Sequence, residues 1–494
     1  MVNYFPTNYG ALYPKDELRK FGVHLISDIG GGKSPVLGRC VAFYDFMRGI
    51  PTILLDDGDA IDHFIHKVMK APLSVQEQLW KRVRYIDLSG QYGYVVPTPL
   101  YYRLSENEDP LTTAQRFIDI ILQISPTLQN AKIMGEGAIR KVLEPVGVVL
   151  VKRGWQISEV TRLATKIPDS LQVELNRFTH SPIQRAIYAA EKPGIDWQEV
   201  IDKQLIVLID YRHVENPQFA LSWILDYFFT FLDKRGRHQS PLSLIIDEFS
   251  MLQEGLAVEN KKFTHEWNKI LKNKMKGRNL WLYLAHQTMG QFDDTMGDLL
   301  LSIQTQIIGT TKSTMTARVL SQQLARIDQY KVKETHDVTG SVQMSAPGSA
   351  YLYNSLTGRN ESMHFPGVYG RELIDQRNVY FEAGAQYLEM TDSFRDLPPL
   401  HFVIYDNGSR TSVEQSLIGT EKDTDIRPAL WKIEAVRHAL LRKHGRKVED
   451  VLAEIDARTA PLSPRQIQPP LLNYPTAKPQ QKVIREKPPT DEEI

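Results

Sequence analysis

Residues Ser27–Ser34, SDIGGGKS, follow the apolar run Val23–Ile26, and residues Leu242–Phe249, LSLIIDEF, end a second apolar run in two acids. These two segments read as the halves of a nucleoside triphosphate site. A loop that cradles a polyanion must bring backbone N–H groups close to it. It therefore needs glycines that leave room, and a following helix whose N-terminus favours negative charge. Gly30, Gly31 and Gly32 supply the room. Lys33 is placed to reach the β and γ phosphates and the Ser34 hydroxyl to hold Mg²⁺. The second run delivers Asp247 and Glu248 to the C-terminal end of a buried strand, the edge where open α/β sheets bind ligands. There Asp247 supports the metal and Glu248 activates the attacking water.

Two residues depart from the strict loop pattern G-x-x-x-x-G-K-[ST]. Ser27 stands where the opening glycine is expected, and Pro35 follows Ser34 directly. Proline is tolerated in the first turn of a helix, but its missing N–H is one that phosphate loops usually offer, so weakened nucleotide binding is expected. The plainer alternative is a glycine turn and an unrelated acidic strand end. Context argues against it: Val36, Leu37, Cys40, Val41, Tyr44 and Met47 recur at helical spacing after the loop.

The elements that must position these residues fit an α/β chain. Thr52–Leu55 and Val83–Ile86 are further apolar strands closing in acids, and Leu205–Ile209, Leu242–Ile246, Trp281–Ala285 and Thr305–Gly309 follow, each between helical stretches. That alternation predicts a mostly parallel central sheet flanked by helices. Between about 112 and 192 it breaks into helical periodicity, which predicts an all-α insertion. Gly340, Pro347 and Gly348 precede Ala350–Tyr353, a late hairpin or edge strand, and Ile426–Asp456 predicts one or two helices. The tail from Pro461 is rich in Pro, Gln, Lys and Glu without apolar period, and is expected to be disordered. The resulting divisions are 1–104 and 199–375 as two parts of the core, 105–198 as the insertion, 376–458 as a mixed region and 459–494 as the tail.

Composition sets limits. With 494 residues, 42% hydrophobic and 24% charged, the chain has the core of about three domains. No apolar run approaches the roughly 18 residues of a membrane span, and no signal pattern opens the chain, so a cytoplasmic location is expected. The single cysteine, Cys40, excludes an internal disulfide and falls on the apolar stripe of the loop helix. The balance of 59 basic and 59 acidic residues argues against coating nucleic acid by bulk attraction. Two local basic tracks remain: Lys261, Lys262, Lys269, Lys272, Lys274 and Lys276, and Lys432, Arg437, Arg442, Lys443, Arg446 and Lys447. Each is either a binding track or a solvated helix face.

Segment Gly277–Gln291, GRNLWLYLAHQTMGQ, ends another strand in His286 and Gln287. An amide there can sense the γ phosphate or hold the attacking water, since Gln both donates and accepts. With this motif, the order GGGKS, LLDDGDAID, YIDLS, helical insertion, LIVLID, LIIDEF and GRNLWLYLAHQ resembles the HerA/FtsK-type ATPases, and most of all the TraD/TraG-type coupling ATPases of conjugation. The resemblance spans roughly residues 20–375. It implies a RecA-like P-loop fold, ATP and Mg²⁺ as cofactors, and a homo-hexameric ring with ATP between subunits and DNA through the centre. By position it gives Lys33 and Ser34 the loop roles, Asp247 the metal, Glu248 the base and Gln287 the sensor. Arg278 matches an arginine that acts on a neighbour's ATP, and Asp56 an acid that ends the second strand. The first core strand begins near residue 23, so neither a membrane anchor nor a small β-barrel is expected before it. The insertion falls where coupling proteins carry a domain that selects the transfer substrate, so it is expected to bind a protein partner or DNA. These features imply an ATP-driven DNA-translocating motor for conjugative or other mobile-element transfer. The alternatives are a nucleotide-binding assembly scaffold with little hydrolysis, or a secretion or pilus motor acting on protein.

Overall fold

The computed structural model describes residues 13–57, 59–124, 135–163, 167–214, 217–235, 240–252, 267, 269–271, 275–324, 330–345, 347–354, 356–407, 411–416 and 430–460. In chain order the strands are β1 (Val23–Ile26), β2 (Thr52–Asp56), β3 (Val83–Asp87), β4 (Tyr94–Val95), β5 (Ile206–Asp210), β6 (Leu242–Ile246), β7 (Leu280–His286), β8 (Thr305–Ile308), β9 (Val332–Ser345), β10 (Gly348–Asn354), β11 (Arg359–Phe365), β12 (Val368–Tyr380), β13 (His401–Asp406), β14 (Thr411–Ser416) and β15 (Arg446–Lys447). One sheet runs β14-β13-β8-β1-β7-β6-β2-β5-β3. From β8 to β3 every pairing is parallel. Continuous apolar runs are what such strands require, because helices cover both faces. Successive residues divide between the two cores: Leu54, Leu208 and Ile245 pack on one side, and Ile53, Leu55, Val207, Ile209, Leu244 and Ile246 on the other.

The sheet does not close at residue 375. Its eighth and ninth strands are β13, antiparallel to β8, and β14, antiparallel to β13. Both lie in the region read from sequence as mixed. Between β8 and β13 the chain makes a two-stranded ribbon, β9 with β12, carrying the hairpin β10–β11. The sequence reading reached only Ala350–Tyr353 of this. Of the remainder, β11 is exposed along its whole length, so no buried face imposed an apolar alternation on it.

The helical stretch contains Pro110–Ile124, Glu136–Arg153, Asp169–Asn176 and Pro182–Tyr188. Its core is shared with the rest of the chain: Phe117, Leu143 and Leu150 pack in one cluster with Trp223, and with Val451 and Ile455 of the helix Val448–Thr459. The Trp223 indole donates to the Thr98 carbonyl at 3.1 Å, tying that cluster to the sheet side. Cys40 is a fully buried core residue. No helix among the described residues is long and apolar enough to cross a membrane. Residues from 461 onward, read as a disordered tail, lie outside the described residues, as do Lys261, Lys262, Lys272 and Lys274. In the second basic track Arg437 turns inward and is bonded to Asp62, so that track is not one continuous exposed face.

Candidate functional site

β1 ends at Ile26, and the chain turns through Ser27–Gly32 into a helix that begins at Lys33. The helix is α-helical over Lys33–Pro35, widens to π-type turns over Val36–Ala42, and returns to α over Phe43–Met47. Wide turns of this kind are concentrated at functional sites. The loop explains its own departure at Ser27. That side chain is fully buried and faces away from the cleft, with Gly31 and Gly309 closing around it. A methyl on Gly31 would come within 2.1 Å of Ser27 Oγ, and one on Gly309 within 2.5 Å. Two glycines opposite the serine therefore make the space that a glycine at position 27 would have left. The loop is braced from β8 and β13: the Asp28 N–H donates to the Thr310 carbonyl at 2.9 Å, and the Leu400 N–H to the Gly31 carbonyl at 3.1 Å. Leu400 holds φ +67° to make this approach, and Gly32, at φ +104°, has no room for a Cβ beneath the leucine side chain.

Parallel strands place the remaining groups at the same edge. β6 delivers Asp247 and Glu248, and β7, beside it, ends in His286 and leads to Gln287. Lys33 Nζ lies 2.9 Å from Asp247 Oδ1 and 2.7 Å from Glu248 Oε2. Burial opposes the ammonium charge, but the two carboxylates raise its pKa to about 12. Ser34 Oγ donates to Asp247 Oδ2 at 3.2 Å. Glu248 sits at φ +55°, an uncommon conformation for a residue with a side chain and one that clusters at working sites. Besides Lys33, it accepts from Ser250 Oγ at 2.9 Å, Gln287 Nε2 at 2.9 Å and Gln291 Nε2 at 3.3 Å. Burial works against its charge, but Lys33, Ser250 and Gln287 hold its pKa below the ordinary carboxylate value.

The structure therefore brings Gly30, Gly32, Lys33, Ser34, Asp247, Glu248 and Gln287 around one cleft of about 650 Å³, with Gly31 packed beneath it against Ser27. Arg278 is elsewhere. It precedes β7 whereas Gln287 follows it, so at about 3.3 Å per residue roughly 20 Å of strand separates them. Its guanidinium donates to the Asp233 carbonyl at 2.8 Å. Asp56 is buried beside the cleft, where it accepts from the Ile61 N–H at 2.8 Å and so starts the helix Ala60–Met69; burial and the Asp247 charge push its pKa up to about 8.

Sequence reasoning missed several lining residues. Asp57, Asp59, His63, Leu400 and Leu430 all border the cleft. Burial, then Glu248 and Asp247, push Asp57 to about 6. Gln291 had a local signal, since it follows Gln287 by four residues in a turn capped reciprocally by Thr288. Leu400 and Leu430 had none, because both reach the cleft from distant parts of the chain.

Together these features define a RecA-like P-loop nucleoside-triphosphatase fold: glycine loop, lysine and hydroxyl at a helix start, and paired acids two strands away at the same sheet edge. Comparison with solved structures finds several chains similar to this one. The bacterial conjugative coupling protein TrwBdeltaN70, unbound, is 15% identical with a TM-score of 0.49, over 81% of this chain and 85% of that one. The plasmid coupling protein TrwB in complex with the non-hydrolysable GTP analogue GDPNP is 15% identical with a TM-score of 0.48, over 81% and 86%. VirB4 of Thermoanaerobacter pseudethanolicus is 14% identical with a TM-score of 0.41, over 62% and 81%. No protein-family model matches the chain, and no curated protein does.

Proposed function

We propose that this chain is a cytoplasmic ATP-driven motor of the HerA/FtsK type that moves DNA in conjugative or other mobile-element transfer. The observation that carries the hydrolytic part is Glu248: a buried, ionised carboxylate at a strained backbone position, within hydrogen-bond reach of both Lys33 and Gln287. Simple nucleotide binding needs no such acid. In this reading Lys33 leaves the two acids for the β and γ phosphates when nucleotide enters, and Glu248 is freed to accept a proton from the attacking water. Gln287 and Gln291 then hold that water in place. Ser34 and Asp247 offer one hydroxyl and one carboxylate, a donor set that suits Mg²⁺ shared with phosphate and water rather than a cage built from protein alone. The ion would neutralise charge developing on the transferred phosphoryl group.

Arg278, anchored at the opposite end of β7, serves a neighbour's ATP in a hexameric ring, and so an isolated subunit hydrolyses slowly. The DNA assignment is supported by the resemblance of the motif order, and the helical stretch 105–198 is proposed to bind the partner or DNA that selects the cargo. Pro35, which withdraws one N–H from the phosphates, favours a second reading as a nucleotide-gated scaffold.

Steady-state ATP hydrolysis at low salt, with and without single- and double-stranded DNA, tests the proposal, because phosphate contacts weaken steeply as salt rises. Stimulation by DNA that is lost in Lys33→Ala and Glu248→Gln is the expected result. Binding without turnover would support the scaffold. Turnover indifferent to every DNA would overturn the DNA assignment and leave a protein-moving motor.

A further inference from the structure

The two amides that face Glu248 hang from one short turn, and what seats that turn lies outside the cleft. After β7 the chain makes a 3₁₀ turn over Met289–Gln291, capped by Thr288. The Thr288 N–H donates to Gln291 Oε1 at 3.1 Å. The Gln291 amide is thereby oriented by the backbone of its own turn, and its nitrogen is left to donate to Glu248 Oε1 at 3.3 Å. Gln287, the residue before the cap, donates to Glu248 Oε2 at 2.9 Å. The first N–H groups of a helical turn have no partner within it. That of Met289 is met by another element: it donates at 3.2 Å to Oγ1 of Thr316, on the helix Thr314–Leu324. Thr316 is buried, and Met289 packs in one cluster with Ala317, Leu320 and Leu324 of that helix and with Ile26, where β1 ends. Rings close the far end of the turn: Phe292 meets the buried His286 edge-on at 4.7 Å and lies over Phe249 at 5.8 Å.

We propose that Thr316 is a positioning residue for ATP hydrolysis, its hydroxyl pegging the turn that holds the Gln287 and Gln291 amides against Glu248. This inference rests on the hydrolytic reading of the cleft, and it adds the support on which that reading's water-holding amides depend. The effect is geometric. Hydrogen bonds weaken steeply once distance and angle depart from their optimum, and groups that orient a reacting water must be held to a fraction of an ångström. Packed rings resist compression but let a short turn slide along them, whereas a bond to an oxygen on a buried helix fixes both distance and direction. Thr316 is not among the residues that line the cleft. Its influence on the chemistry therefore passes through the turn. Because Ile26 packs against the same helix, the strand that carries the loop and the turn that carries the amides share one support.

Single-turnover ATP hydrolysis by the full chain, with protein in excess over ATP, tests this role. Thr316→Val keeps the shape and removes the oxygen, and should slow the chemical step about tenfold, the size of one good hydrogen bond, with ATP affinity unchanged. Thr316→Ser returns the oxygen and should keep a rate near wild type. In a chain that already carries Gln287→Ala and Gln291→Ala, Thr316→Val should slow the step no further, because a residue that acts through the amides has nothing left to act on. Ser321→Ala is the control on the same helix. It removes a buried bond of 2.8 Å between the Ser321 and Thr391 hydroxyls, and should lower the melting temperature while leaving the rate unchanged. A rate loss in Ser321→Ala equal to that in Thr316→Val would overturn the role, since any loosening of the helix would then suffice. So would a tenfold loss that persists in the double-alanine chain, or a wild-type rate in Thr316→Val. A wild type that binds ATP and leaves it intact would overturn the hydrolytic reading itself, and this inference with it.

Discussion

Two groups of buried acids stand along the same edge of the same sheet, and they are neutralised in different ways. At the far strands Asp210 of β5 is in register with Asp87 of β3 and Asp56 of β2. It accepts from Tyr85 Oη at 2.8 Å and from Arg212 Nη2 at 2.7 Å. Arg212 also reaches Asp62 at 3.3 Å, and Arg437 arrives from the C-terminal helix Leu430–His444 to bond Asp62 and approach Asp210 at 3.7 Å. At the near strands Asp247 and Glu248 have, among the described residues, Lys33 alone as a cation, plus amides and hydroxyls. Guanidinium forks that meet two carboxylates at once are fixed neutralisers. A single lysine on a flexible stem is one that phosphates can draw away. The far cluster is held by fixed forks, and in the proposed reading the near cluster exchanges its lysine for phosphate.

Breaking the fixed cluster should cost the most. Arg437→Met leaves Asp62 buried with one cation fewer, and should lower unfolding free energy by about 3–5 kcal/mol. Chemical denaturation reads this directly, and the hydrolysis rate per folded molecule should stay near wild type. The exchangeable cluster should respond in the opposite sense. Glu248→Gln should reduce hydrolysis about 10²–10³-fold, the scale of one lost preorganised group, with a melting temperature at or above wild type. Were both variants to lose stability and activity together, the distinction between the clusters would not hold.

Next in size is the loop itself. Gly31→Ala drives a methyl into Ser27 Oγ and should cost about 1–3 kcal/mol of loop stability, seen as weakened tripolyphosphate binding. Ser27→Gly in the same chain should restore most of it, since the serine is what the methyl meets. The smallest effect concerns Asp57. Its pKa, raised from 3.8 to about 6, means that the folded state binds a proton the unfolded state releases. Its contribution to stability is therefore complete below about pH 4 and fades as pH rises through 6. Over pH 5–7 the cleft also gains a negative charge that opposes triphosphate when Mg²⁺ is absent. Asp57→Asn should flatten both slopes, read from melting temperature and from metal-free nucleotide affinity against pH.

What the sequence disclosed follows from how locally each feature is encoded. The central strands were legible because a strand buried on both faces must be apolar throughout, and Ile206–Asp210 or Leu242–Ile246 can be little else. Lys33, Ser34, Asp247, Glu248 and Gln287 were legible because each ends or follows such a run. His63, Leu400 and Leu430 were not, because they reach the cleft through tertiary packing and have no spacing relation to the loop. Arg437 read as part of a basic track, and only its pairing with Asp62, 375 positions away, shows otherwise. Of the late strands, β11 stayed hidden because a strand exposed along its whole length carries no apolar signal.

The strand order has a consequence for synthesis. The β2-β5-β3 half of the sheet is complete once Asp210 has been made, whereas β1 ends at Ile26 and its two neighbours, β7 and β8, begin at Leu280 and Thr305. At ribosomal rates of about 5–20 residues per second, the strand bearing the loop waits some tens of seconds for a partner. It waits longer still for Leu400 to close over Gly32. During that interval the nascent chain carries an unpaired apolar strand and no means of holding a nucleotide, which makes this stage the one at which a chaperone has most to protect. A ribosome stalled between the loop helix and β8 would release a chain with every loop residue present and neither of the loop's braces.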